Sequence, residues 1–105
     1  MKSARFAIAL LGASFAMGSC QAAEDWNKTV GRIGVQAPAT GYFMVNEALS
    51  TTCAYGVVYV DLTQVAGKTM WAAVLTAKET AGMIYRLDYS VDANTICTAT
   101  LVELK

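Results

Sequence analysis

The chain has 105 residues, 8 basic and 8 acidic side chains and no histidine; it holds one domain with one core, and without imidazole there is no Ser-His or Cys-His catalytic pair and no ordinary zinc set. Beyond position 23 the basic residues Lys28, Arg32, Lys68, Lys78, Arg86 and Lys105 are scattered among eight acidic ones, for a net charge of −2. Displacing counterions takes clustered Lys and Arg, so nucleic acid and anionic membrane surfaces are excluded as partners.

The chain opens as an address. Met1, Lys2 and Arg5 are a cationic start, Phe6 to Met17 is an apolar run broken only by Gly12 and Ser14, and Ser19-Cys20-Gln21-Ala22-Ala23 is the small-residue stretch a signal peptidase needs. The run falls short of the ~20 residues that cross a bilayer. Residues 1–23 are therefore expected to be a signal peptide, cut after Ala22 or Ala23, and residues 24–105 a single exported domain, periplasmic or secreted. A second route stays open. Met17-Gly18-Ser19-Cys20 resembles a bacterial lipobox, with Met where Leu is usual, and lipidation of Cys20 would make an outer-membrane lipoprotein. Only that route brings the chain to a membrane. Export to an oxidising compartment leaves Cys53 and Cys97 to form a disulfide closing about 45 residues, worth about 4 kcal/mol in the chain-entropy model. The pair lacks the Cys-x-x-Cys spacing of a redox site.

In chain order, Thr29 to Gln36 alternates and predicts a strand that bends or bulges at Gly31 or Gly34. Ala37-Pro38-Ala39-Thr40-Gly41 predicts a turn, and Tyr42 to Val45 a second strand reaching toward Leu49. From Cys53 or Tyr55 to Leu62 runs the strongest strand signal, Tyr55, Val57, Val58, Tyr59 and Val60. Lys68 to Thr80 predicts a helix whose stripe is Met70, Trp71, Val74 and Leu75, ended by Gly82 in a left-handed cap. Tyr85, Leu87, Tyr89 and Val91 alternate with Ile84, Arg86, Asp88 and Ser90 as a half-buried strand; Asp92-Ala93-Asn94 is a turn and Ile96 to Leu104 the closing strand.

A cysteine before an apolar strand, a helix ending Leu75-Thr76-Ala77-Lys78 with Gly82 beyond it, then a strand and a second cysteine in the last strand resembles the core of small exported bacterial OB-fold-like proteins. These are similar to the B subunits of subtilase and pertussis class A-B toxins. The resemblance covers Cys53 to Leu104. It implies a mainly β fold with one helix (α+β): a small OB-fold-like barrel of about five strands, the helix after strand three, stapled by one disulfide. It also implies a ring-forming subunit that binds glycans.

Catalytic parts are missing. Ser50 and Ser90 sit in no nucleophile elbow, and Gly31-Arg32-Ile33-Gly34 lacks the lysine and helix of a phosphate loop. Asp88 and Asp92 have the spacing of an acid and base, but such residues more often form a solvated face and a turn. No enzyme activity, cofactor or metal is expected. Recognition is left to the aromatics: Trp71 and Tyr59, with Leu87, are expected in the core, and Trp26, Tyr42 and Phe43 are the candidate binding residues. The expected function is recognition of a glycan or an exported partner protein by a homo-oligomer. The alternatives are a monomeric periplasmic inhibitor or immunity-type protein, and a lipid-anchored structural envelope protein.

Overall fold

The computed structural model describes residues 20–105; of the leader expected over residues 1–23, all but Cys20–Ala23 lies outside the described residues. The elements are β1 (Cys20–Gln36), β2 (Thr40–Val45), a single 3-10 turn (Ala54–Gly56), β3 (Val58–Asp61), α1 (Val65–Glu79), β4 (Met83–Asp92) and β5 (Cys97–Leu104). The strands close into a barrel in the order β1-β2-β3-β5-β4, and the domain is OB-fold-like, with α1 after strand three. Cys53 and Cys97 form the disulfide, with 5.5 Å between their Cα atoms.

β1 is shared between two partners. From Cys20 to Thr29 it pairs with β4, and from Val30 to Gln36 with β2. The register slips between Val30 and Arg32, at Gly31, where the sequence places a bulge; the extra residue lets one strand bend around the barrel. Sequence reading began this strand at Thr29. Its first nine residues are held by β4 rather than by an alternating pattern of their own, and Cys20–Ala23, opposite Asp92–Tyr89, belong to it. β3 and β5 run parallel and meet only at Val58–Cys97 and Tyr59–Thr98.

Phe43, Val58, Val60, Val74, Ile84, Leu87, Tyr89 and Cys97 are sealed from solvent and fill the barrel. Helix α1 turns Gly67, Val74 and Ala77 inward, with Met70 and Trp71 partly buried against the same core. Leu75, expected in this stripe, is 40 % exposed: the inward face runs through 67, 70, 74 and 77, which turns position 75 outward. Trp71 lies so close over Gly41 that a Cβ there would stand 2.9 Å from its ring. The helix ends in a Schellman motif, with Gly82 N donating to the Ala77 carbonyl at 2.9 Å and Ala81 N to that of Lys78 at 3.4 Å. The left-handed residue is Ala81 (φ 56°), not Gly82, because the cap position falls one residue earlier than the glycine suggests.

Three further departures concern the strands. β2 stops at Val45; beyond it Asn46 N still donates to the Thr29 carbonyl of β1 at 2.9 Å, and Glu47 and Ser50 are tied to β1 through side chains. Tyr55 lies in the 3-10 turn and not in β3. Tyr85 is only half-buried, because β4 slips register against β5 between Ile84 and Arg86, so its sealed residues are Ile84, Leu87, Tyr89 and Val91 rather than a strict alternation through Tyr85.

One buried charge organises the loop after β2. Asp25, 6 % exposed, accepts hydrogen bonds from Tyr89 Oη at 2.6 Å, Ser50 Oγ at 3.1 Å and Ser50 N at 3.1 and 3.2 Å. A buried carboxylate is tolerable only with such donors. Nearby, Thr29 donates its amide and its hydroxyl to Glu47, both at 2.8 Å, and Lys28 Nζ donates to the Ala48 carbonyl at 2.8 Å.

Candidate functional site

Pairing register sets out a row of side chains across the outer face of the barrel. Gly34 stands opposite Tyr42, Tyr42 opposite Tyr59, and Tyr59 opposite Thr98; the next row on the same face is Gln36, Thr40 and Asp61. Alternation in β2 sends Phe43 inward and Tyr42 outward. The Tyr42 and Tyr59 rings sit 6.3 Å apart at 58°. Gly34 makes room for this: the Tyr42 ring lies where a Cβ at position 34 would be.

Two adjoining cavities line this face. One, of about 290 Å³, is bounded by Gln36, Tyr42, Tyr55 and Tyr59; the other, of about 380 Å³, by Gln36, Thr40, Tyr59, Asp61 and Thr98. They share Gln36 and Tyr59 and form one shallow groove, each half at the small end of the range for ligand pockets.

Tyr55 stands at the rim, 82 % exposed, with φ 61°, and Gly56 follows at φ 69°. A bulky side chain in the left-handed region is an outlier that costs roughly 1–3 kcal/mol, and such residues gather where a ligand is held. Its turn is fixed at both ends. Ala54 N donates to the Thr95 carbonyl at 2.8 Å, Gly56 N to that of Cys53 at 2.9 Å, and Cys53 is bonded to Cys97. Asp61 accepts the Thr63 hydroxyl at 2.6 Å and the Thr63 amide at 2.9 Å, both on Oδ1; these bonds, the hydroxyl's first, hold its carboxyl below the usual range. Oδ2 has no hydrogen-bond donor among the described residues.

The three candidate aromatics separate. Tyr42 lines the groove. Phe43 is fully buried and faces the core, because its neighbour takes the outward position. Trp26 is 42 % exposed but lines neither cavity; it packs edge-on against Tyr85 at 5.2 Å, under the Arg86 guanidinium at 5.3 Å, and donates from Nε1 to Glu24 at 3.0 Å. Tyr59, expected in the core, is half-buried and belongs to the outer row; Val58 and Val60 on either side of it take the inward positions. Tyr55, Gln36 and Asp61, which sequence reading does not single out as site residues, line the groove, as does Tyr59. The signals available were the Tyr-Gly pair at 55–56 and the outward phase of Tyr59 between two buried valines.

Asp88 and Asp92 do not act together: Asp88 holds Arg86 through two bonds of 3.0 Å, and Asp92 Oδ1 accepts the Asn94 and Ile96 amides of the turn. Cys20 is an exposed free thiol at the start of β1. Among the described residues no group of three or more metal-ligating side chains comes together, and no helix is long and apolar enough to cross a membrane.

No family model and no curated protein matches this sequence. Among solved structures, the crystal structure of human heat-labile enterotoxin in complex with a blood group A antigen analog superposes with a TM-score of 0.56 at 12 % identity, over 83 % of this chain and 86 % of that one. The chain is similar in fold to that toxin. At this identity the likeness is one of architecture.

Proposed function

We propose that this protein is an exported, non-enzymatic binding module that recognises a glycan through the groove of Tyr42, Tyr55 and Tyr59, working as a homo-oligomer. The observation that carries the reading is the convergence of three tyrosines from β2, β3 and the 3-10 turn on one groove with Gln36 and Asp61. Tyrosine faces stack on the C–H faces of sugar rings, while an amide donates to and accepts from hydroxyls and a carboxylate accepts from them. The enterotoxin, a fold relative in complex with a blood group A antigen analog, supports it by analogy. The disulfide fits export, and removal of residues 1–23 would leave β1 paired with β4 from Glu24 onward.

Glycan-array binding with the protein displayed multivalently is the test, with blood group A trisaccharide among the probes. Tyr55→Ala should abolish capture while leaving the melting temperature unchanged, since Tyr55 is exposed. Capture that persists in this variant, or no capture at all, refutes the assignment. Trp26, Tyr85 and Arg86 favour a second reading, docking of an exported protein, because these residue types anchor interfaces. Co-purification of one partner, lost on Trp26→Ala, would establish it.

A further inference from the structure

We infer that the groove selects uncharged glycans over acidic ones, a specificity that rests on the glycan reading and is set by Asp61. Among the described residues, the only ionisable carboxyl or basic side chain lining either half of the groove, apart from tyrosine hydroxyls, is the carboxylate of Asp61, and no lysine or arginine lines it. Within the sheet the next cation by register is Arg32, two residues along β1 from Gly34 and opposite Met44, one row beyond the tyrosines; off the sheet, Lys68 follows Gly67, which packs against the Asp61 carbonyl, and does not line the groove. A sialic acid carboxylate or a sulfate seated here would meet tyrosine rings, whose faces are the negative side of the quadrupole, and a fixed negative charge, with no guanidinium or ammonium to neutralise it.

Asp61 is well placed for the opposite task. Oδ1 is fixed by Thr63, so the carboxylate is oriented before any ligand arrives, and Oδ2 remains to accept a hydroxyl hydrogen. The same two bonds keep it ionised to lower pH than an ordinary aspartate. Gln36, Thr40 and Thr98 complete a lining that donates and accepts without charge. An acidic group seated in the half of the groove bounded by Thr40, Tyr59 and Thr98 faces the Asp61 carboxylate. Two like charges about 6 Å apart weaken binding about 3-fold in bulk water and about 100-fold at the effective dielectric of a protein surface.

The test compares lactose with sialyllactose, and neutral with sulfated array probes, on the displayed full-length protein at low and high salt. Neutral probes should bind at least about threefold more tightly, the ratio shrinking with salt as screening sets in. In Asp61→Asn, which keeps the Oδ1 acceptor for Thr63, the neutral-to-acidic ratio should fall to about one. Preferential capture of sialylated or sulfated probes, lost on Tyr55→Ala, overturns the selectivity and leaves glycan recognition standing. If that capture is lost on Arg32→Ala as well, the arginine one row away is part of the site. A ratio unchanged in Asp61→Asn also overturns it. No capture of either class, or capture indifferent to Tyr55→Ala, overturns the selectivity together with the glycan reading.

Discussion

Replacing Tyr89 with Phe removes a buried hydrogen bond to an acidic side chain inside the barrel. The ring stays, so the sealed core keeps its packing, and what is lost is the 2.6 Å bond from the phenol to Asp25 Oδ2. Hydrogen bonds to charged groups contribute about 1.5–3 kcal/mol, and here Asp25 keeps only the Ser50 donors and the Lys28 ammonium at 4.0 Å. With a urea dependence of about 1 kcal/mol per molar for a domain this small, the midpoint should drop by about 1.5–3 M at pH 7. pH supplies a second, independent reading. Burial, and next the Asp25 carboxylate that accepts its proton, push the Tyr89 hydroxyl above its ordinary value of 10.0. A group whose pKa is raised on folding contributes fully below the unfolded value and loses that contribution as pH climbs through the folded one. The gap between wild type and Tyr89→Phe should therefore be constant from pH 7 to 9 and narrow above about pH 10. Urea titrations followed by tryptophan fluorescence at pH 7 and 10.5 measure both. A midpoint shift below about 0.5 M, or a gap that stays constant into the alkaline range, would refute the role given to this bond.

Removing the staple with Cys53→Ala and Cys97→Ala together should cost about 4 kcal/mol, read by denaturation against the oxidised parent, and should weaken glycan capture beyond that of a thermally matched core variant, because the Tyr55 turn loses its anchor. Val74→Asp places an unpaired charge in the sealed core and should prevent folding by circular dichroism, whereas Leu75→Asp, on the exposed side of the same helix, should change stability by less than about 0.5 kcal/mol. The Thr29 amide holds the Glu47 carboxyl below its ordinary range. This depressed acid stabilises the loop above its unfolded pKa and releases it as pH falls through the lower folded value. Protection of the Thr29 amide from exchange, relative to its intrinsic rate, should fall below about pH 4 and not near neutrality.

Much of the barrel was readable because alternation reports which face a strand buries, and Gly31, Asp92-Ala93-Asn94 and the apolar run of β3 mark where it bends, turns and packs. Most of what was not readable is decided by a partner distant in the chain, and the helix end by where its last turn stops. Tyr85 is turned outward by a slip against β5, Ala81 takes the left-handed cap because the helix ends one residue early, and the first half of β1 exists only because β4 lies beside it. The groove follows the same logic. Tyr42 was picked out by its place beside a turn, but Tyr59 joins it only through the pairing of β2 with β3, and Tyr55 through a turn fixed by Thr95 and the Cys53–Cys97 bond. Phe43 shows the converse: composition makes it a binding aromatic, and strand phase makes it core.

The seam between β3 and β5 has a bearing on how the molecule is assembled. It rests on two residue pairs, one of them containing Cys97, so the covalent bond sits where the sheet is thinnest. α1 and β4 lie between β3 and β5 in the chain, so β3 waits through both before either sulfur finds its mate. Barrel closure is thus a late step with a long chain separation, and loop-closure entropy makes such contacts slow. Once formed, the bond makes that encounter permanent and holds the thin seam beside the groove closed.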